Sequence, residues 1–320
     1  MSVNTQHSPH PPLDEFCHEA FLYEGIDEFL EGVSSFILEG LEALDPILVV
    51  VDRTKIAGLK RTLGPAARHV DFANMAEVGR NPARIIPVWR EFVTRYAAAG
   101  TRVRGVGEPV FPERNPAEVD ECERHEALLN VAFMSGRPWR LLCPYDTATV
   151  GGDVLAAAAR SHPFVREGSR RRPSEQYRGP AAPFAGELSD PPASAEELAF
   201  DTDSDDLAVV RSLVASHALR AGLTVARSSD LVLAANELAT NSLTYGGGGG
   251  RLRIWRQADA VVCDVGDDGH IDHPLVGRLQ PGPDRVGGRG LWLVNQLCDL
   301  VQIRSSAAGT VVRVWMYLHP

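Results

Sequence analysis

Hydrophobic and polar positions along the chain follow two periods, and each switch between them marks an element. Over 26–44 the apolar residues Phe29, Leu30, Val33, Ile37, Leu41 and Leu44 recur at helical spacing. Asp45-Pro46 stops that helix, because the residue before a proline is pushed out of the helical region. Residues 47–51 form an unbroken apolar run of strand length that ends at Asp52. The alternation continues with a helix over 54–63, a strand at 70–72 and a helix after Asn81-Pro82. A strand at 103–106, a helix over 116–134, a strand at 139–143 and a helix from Thr147 complete it. Strands that alternate with helices predict a largely parallel sheet covered on both faces.

The C-terminal part reads differently. A strand at 197–201 and a helix over 204–221 precede a second helix that carries Leu231, Leu233, Ala234 and Leu238 and ends at Tyr245. Glu237 and Asn241 stand four apart on it, so both side chains project from one face. Five glycines, Gly246 to Gly250, suit a helix stop and a mobile turn. Strands follow at 252–256 and 260–265, the latter delivering Asp267 at its end. An acid there can accept a hydrogen bond from an exocyclic amine such as that of adenine. Residues 266–288 are rich in Gly, Pro and Asp without a period, and read as a lid-like loop. Gly287-Gly288-Arg289-Gly290-Leu291 then opens a helix over 291–298, whose free N–H groups and positive dipole end suit phosphate. A last strand runs over 310–317, with Val311, Val312, Val314 and Trp315 as packing residues.

Between these parts, 166–178 is basic, with Arg170-Arg171-Arg172 adjacent, and 179–192 is rich in Pro and Ala, the composition of a linker with solvated arginines. The expected organisation is a disordered tail at 1–13, a domain at 14–164, a linker at 165–196 and a second domain at 197–318. With 32 Lys and Arg against 42 Asp and Glu, the 320 residues carry a formal charge of −10, which disfavours direct nucleic-acid binding. Cys17, Cys122, Cys143, Cys263 and Cys298 are odd in number and scattered without a metal-type pair, as suits a reducing compartment. Cys122 and His125 are three apart on one helix but bring no further local ligand. No apolar run approaches about 18 residues and the N-terminus is not a signal peptide, so a cytoplasmic protein without a membrane partner is expected.

The ordered set Glu237-Leu238-Ala239-Thr240-Asn241, Asp267-Asp268-Gly269 and Gly288-Arg289-Gly290-Leu291, closed by Gly309-Thr310, resembles the ATPase domain shared by histidine kinases, gyrase-type enzymes and bacterial anti-sigma serine kinases. The resemblance implies a C-terminal α/β sandwich of that type with ATP and Mg2+ as cofactors. It implies Glu237 as general base and Asn241 as magnesium ligand. Asp267 would read adenine beside Gly269, Thr310 would support that pocket, and Gly288, Arg289, Gly290 and Leu291 would hold phosphate. One departure is visible: Ile271 stands where the acidic motif has its last glycine.

Within this superfamily a sensor histidine kinase needs a phosphoacceptor histidine on a dimerising hairpin. His125-Glu126 resembles that box, but Cys143-Pro144, Gly151-Gly152 and His162-Pro163 follow in place of the second helix, and His217 lacks the box's proline. The segments 272–278 and 288–296 instead resemble actinobacterial anti-sigma regulators. That branch implies sequestration of an alternative sigma factor, phosphorylation of a serine on an antagonist protein, and homodimerisation through the ATPase domain. A partner-binding module with a degenerate nucleotide site is the alternative that Ile271 favours; a sensor histidine kinase is the second alternative. Upstream, the runs 18–25, 104–109 and 121–130 resemble the MEDS sensory domain of methanogen and methylotroph regulators, which implies a small-molecule ligand. Its candidate pocket polars are His18, Tyr23, Glu108, Glu121 and His125, which read equally well as buried groups that hold the domain together.

Overall fold

A computed structural model describes residues 16–96, 102–134, 138–179, 184, 186–202, 206–282 and 288–319. The expected tail at 1–13, Gly287 and parts of the expected linker and lid lie outside the described residues. The chain divides into two compact units, residues 1–79 with 88–181 and residues 80–87 with 182–320. Among the described residues no helix is long and apolar enough to cross a membrane.

The first part of the chain contains β1 (Cys17–Tyr23), α1 (Gly25–Glu42), β2 (Ile47–Val51), α2 (Arg53–Leu63), β3 (Asp71–Asn74), α3 (Met75–Val78), α4 (Ile85–Arg95) and β4 (Val103–Gly107). It continues with α5 (Pro116–Phe133), β5 (Trp139–Asp146), α6 (Gly152–Ser161), β6 (Phe164–Glu167) and β7 (Arg170–Pro173). The sheet has the order β3-β2-β4-β5-β1-β6-β7. All pairings are parallel except β6 with β7. All five residues of β2 are buried, as the unbroken apolar run predicts for a strand covered on both faces. Phe29, Val33 and Ile37 of α1 pack on it with Leu59 and Leu63 of α2. Burial of one such side chain contributes about 1.5–3 kcal/mol.

Three features depart from the sequence reading. β1 has no hydrophobic period, because His18 and Glu19 interrupt it, yet it lies between β5 and β6 with its first five residues buried. The basic segment expected as linker is a hairpin, β6 and β7, turned at Gly168 with φ +56°. Arg170 and Arg172 are exposed, but two of its arginines are not simply solvated: Arg166 Nη2 and Arg171 Nε lie 3.1 and 3.2 Å from Glu19 Oε2, where Arg140 Nη2 of β5 also donates to Glu19 Oε1 at 3.0 Å. The buried carboxylate of β1 is what draws the basic segment into the sheet. Finally, the helix expected from Thr147 starts at Gly152, because Asp146 O accepts from Thr149 and Val150 and Tyr23 O accepts from Thr147, making a turn first.

The second unit contains β8 (Glu196–Asp201), α7 (Asp206–Ala221), α8 (Val225–Tyr245), β9 (Gly249–Gln257), β10 (Ala260–Asp267), α9 (Gly290–Leu297), β11 (Leu300–Ser306) and β12 (Gly309–Tyr317). Its sheet, β11-β12-β10-β9-β8, is antiparallel at every pairing. Leu231, Ala235, Leu238 and Ala239 of α8, Val210 and Val214 of α7 and Val294 of α9 pack on alternate strand residues such as Leu252, Ile254, Val261, Cys263, Val312 and Val314. Leu233, counted with the apolar stripe from sequence, is exposed. The glycine run divides: Gly246 caps α8, Gly247 and Gly248 take positive φ, and Gly249 and Gly250 begin β9 opposite Asp201 and Phe200. β11 was not expected from the sequence; it pairs with β12 in a hairpin turned at Ala307 and Ala308.

Candidate functional site

Helix α8 carries the candidate site on one side. Its N-terminus is capped by Thr224, whose side chain accepts from Arg227 N, and Ser228, Leu231, Ala235, Leu238 and Ser242 form the buried stripe. Glu237 and Asn241 border that stripe and are half-buried. They meet the start of α9: a Cβ on Gly290 would lie 2.8 Å from Glu237 Oε2 and 3.3 Å from Asn241 Nδ2. Gly288, at φ +77°, turns the chain into this helix start, and Arg289 is exposed. Leu291 anchors the first turn of α9 on the core. A carboxylate, a carboxamide and a glycine-lined helix N-terminus are thereby brought together.

Asp267 forms the second focus. Ser242, the residue after Asn241, donates its Oγ–H to Asp267 Oδ2 at 2.6 Å, and Gly269 N–H donates to Oδ1 at 2.8 Å. Thr310 Oγ donates to Gly269 O at 2.8 Å and lies 2.8 Å from Ser305 Oγ, which in turn accepts from Ile271 N at 2.9 Å. These bonds hold the acid at the end of β10 in one orientation. Close backbone approach needs two glycines here: a Cβ on Gly246 would sit 2.4 Å from Asp267 Cγ, and one on Gly309, at φ +120°, 2.4 Å from Asp267 O. Ser242 and Ser305 belong to no motif in the sequence, and the one signal for them is the position of Ser242 beside Asn241 on the buried stripe; Gly246 and Gly309 stand in the glycine run and the closing Gly-Thr pair, but their closeness to Asp267 does not show there.

Ile271 is half-buried against the core. Among the described non-glycine residues only Leu44 and Ala258 take positive φ, so Ile271 stands in a backbone conformation open to any residue. The expected lid is partly tied down. Leu275 and Arg278 are buried, and Asn295 Nδ2 on α9 donates to Gly277 O at 3.0 Å. A cleft of about 770 Å³ opens on the face of the sheet away from the helices, along Arg251, Arg253, Arg304 and Arg313. It reaches Asp267 and Thr310 but not Glu237 or Asn241.

The first unit does not gather its five candidate polars in one place. Tyr23 Oη donates to Glu108 Oε1 at 2.6 Å, and Lys55 Nζ donates to both oxygens of Glu108 at 2.7 Å. Burial pushes Glu108 up to about 7, against the pull of the Lys55 ammonium and the Tyr23 hydroxyl. His18 belongs to another cluster, with Asn130, Glu126 and Cys143. Burial, with His162 beside it, pushes His18 down to about 4. Glu121 and His125 are buried on α5, with Glu121 3.5 Å from Arg124. His217 on α7 lies 3.0 Å from Glu196.

Two family models match the chain. Residues 17–163 match the MEDS domain, the methanogen/methylotroph, DcmR sensory domain, and residues 200–316 match the histidine kinase-like ATPase domain. No curated protein matches. A crystal structure of the RsbU and RsbW domains of Rv1364c from Mycobacterium tuberculosis is similar at 18% identity and a TM-score of 0.30, over 64% of this chain and 49% of that one. The chain thus spans about half the length of that structure.

Proposed function

We propose that this chain, a MEDS sensory domain followed by a histidine kinase-like ATPase domain, is an anti-sigma regulator that binds ATP with magnesium and phosphorylates a serine on an antagonist protein. The observation that carries the proposal is the meeting of Glu237, Asn241 and Gly290, one helical turn from the Ser242–Asp267 pair. The space a Cβ on Gly290 would fill is bounded by groups suited to a metal-bound phosphate chain. Bound Mg·ATP would supply the transferable phosphoryl group. In that reading Asn241 ligates the magnesium through its carboxamide oxygen, and the N–H groups from Gly288 to Leu291 hold phosphate oxygens at the positive end of α9. Asp267, oriented by Ser242 and Gly269, accepts from the adenine amine. Glu237 orients the attacking serine hydroxyl and takes up its proton.

The anti-sigma branch, and with it the sigma factor, the antagonist and a homodimer, rests on the motif resemblance of 272–278 and 288–296. A histidine kinase is disfavoured by the burial of His125, which is 1% exposed on a helix of the parallel domain. The partner-binding module is the reading Ile271 prompts; the ordinary backbone at Ile271 speaks against a reset loop there and leaves the width of the pocket to the titration. Calorimetric titration with Mg·ATP separates these readings. Binding by wild type that is lost in Asn241→Ala and Asp267→Ala supports the nucleotide site, and absence of binding by wild type overturns it. With the site established, Glu237→Ala should abolish phosphorylation of the antagonist while sigma binding persists; transfer that survives this substitution removes Glu237 from the chemistry.

A further inference from the structure

The first unit holds a second constellation that nucleotide chemistry does not use. His18 on β1, Glu126 on α5, Cys143 on β5 and His162 after α6 are all buried, and one donor atom from each lies within 4.8 Å of the others. His18 Nε2 is 3.0 Å from Glu126 Oε2 and 3.3 Å from Cys143 Sγ. His162 Nε2 approaches the same carboxylate oxygen to 3.2 Å without making a hydrogen bond there.

The far ring nitrogens decide the tautomers. Asn130 Nδ2 donates to Ser161 O at 2.7 Å, which turns its Oδ1 toward His18 Nδ1 at 3.2 Å; a carboxamide oxygen only accepts, so His18 Nδ1 carries a hydrogen. Ala158 O lies 2.8 Å from His162 Nδ1 and likewise only accepts. Both Nε2 atoms are thereby turned toward one oxygen of the Glu126 carboxylate, at 3.0 and 3.2 Å. Glu126 Oε1 has no hydrogen-bond partner either. Buried polar atoms are seldom left this way. One cation at the common centre resolves every conflict.

We propose that His18, Glu126, Cys143 and His162 form a binding site for a divalent transition metal of zinc-like preference, seated between β1, β5, α5 and the end of α6. Two imidazoles, a thiolate and a carboxylate are the borderline donor set that zinc and cobalt accept. Tetrahedral donors at roughly 2.0–2.3 Å from zinc stand about 3.3–3.8 Å apart, so the spacings of 3.0–3.3 Å need open by only a few tenths of an ångström while the other pairs, within 4.8 Å, draw in toward the same range. On binding, the Cys143 S–H bond breaks, its proton leaves to solvent and the sulfur–metal bond forms. The double charge of the metal is then matched by one thiolate and one carboxylate, and the buried site is neutral. The bonds from Nδ1–H to Ala158 O and Asn130 Oδ1 are the outer contacts that fix a ligating histidine's tautomer and ring orientation. Short-range spacing gave no hint of this site, because its ligands come from four separate segments.

Full-length protein purified without chelator should carry one equivalent of metal by elemental analysis. After metal removal, titration with Co2+ should give the intense visible bands of a tetrahedral centre and a thiolate-to-metal charge-transfer band. In Cys143→Ser that charge-transfer band should vanish and affinity should fall at least tenfold, while Cys122→Ser, which alters a buried thiol outside the cluster, should keep both. X-ray absorption on zinc-loaded wild type needs no variant, and should find one sulfur with nitrogen and oxygen neighbours. Failure of wild type to take up stoichiometric metal, or a zinc site without sulfur, overturns the proposal and leaves a proton shared among the histidines and Glu126 as the resolution of the cluster.

Discussion

The two units assemble their polar centres in opposite ways. In the second unit, Glu237, Asn241 and Ser242 come from adjoining turns of one helix, and Asp267 and Thr310 from paired strands, with Gly269 two residues past the end of β10. In the first, Glu19 meets Arg140, Arg166 and Arg171, and His18 meets Glu126, Cys143 and His162, across more than a hundred residues of chain. Hairpins such as β9–β10 and β11–β12 and single helices such as α8 keep partners close in sequence, whereas a parallel sheet with helical crossovers brings together strands that are far apart. Motifs are therefore readable in the second unit, while the clusters of the first exist only after folding.

The sharpest way to break this contrast is Glu19→Ala. It leaves three arginines facing a buried, unpaired site, and about 3–5 kcal/mol of stability should be lost in urea unfolding. A loss below about 1 kcal/mol would mean that the arginines of the β6–β7 hairpin are solvated after all.

Next in size is a pH effect at Glu108. The folded chain holds this proton up to about 7, whereas an unfolded glutamate releases it near 4.5. Between these values the folded state binds more protons, so stability falls as pH rises through the window, by at most about 3 kcal/mol. Glu108→Gln should flatten that part of the stability profile. An unchanged slope would place the carboxyl at an ordinary value, held down by Lys55.

Gly309→Ala probes the second unit. Its φ of +120° and a Cβ 2.4 Å from a backbone oxygen predict a loss of about 1–3 kcal/mol and weaker Mg·ATP binding through Asp267. Gly290→Ala should cost less stability, because its nearest neighbour is the movable end of Glu237. The smallest effect is expected at Ile271→Gly, at about 1 kcal/mol of stability from lost packing, with the Mg·ATP Kd within about threefold of wild type. A larger gain in affinity would show that the side chain narrows the nucleotide pocket.

Legibility followed local regularity. α1, β2, α8 and β12 were plain because an amphipathic period or an unbroken apolar run states its own burial. β1 was missed because two adjacent polar residues erased its period, although both are buried. β11 was missed because Gln302 and Arg304, buried on the far face of the sheet, read as solvated positions. The basic run 166–178 has the composition of a linker, and nothing nearby in sequence shows that Glu19 awaits Arg166 and Arg171.

By itself the sequence determined the two-part α/β organisation, most of the helices and strands, and the ordered residues Glu237, Asn241, Asp267, Gly290 and Thr310. Those are properties of short stretches, set by side-chain period, backbone freedom and motif spacing. Only the tertiary structure decided the central place of β1, the partners of Glu19, the orientation of Asp267 by Ser242, and the meeting of His18, Glu126, Cys143 and His162. A buried charge or an imidazole lone pair has its energy set by whichever groups surround it in space, and in a parallel sheet those groups are supplied by segments that no local pattern connects.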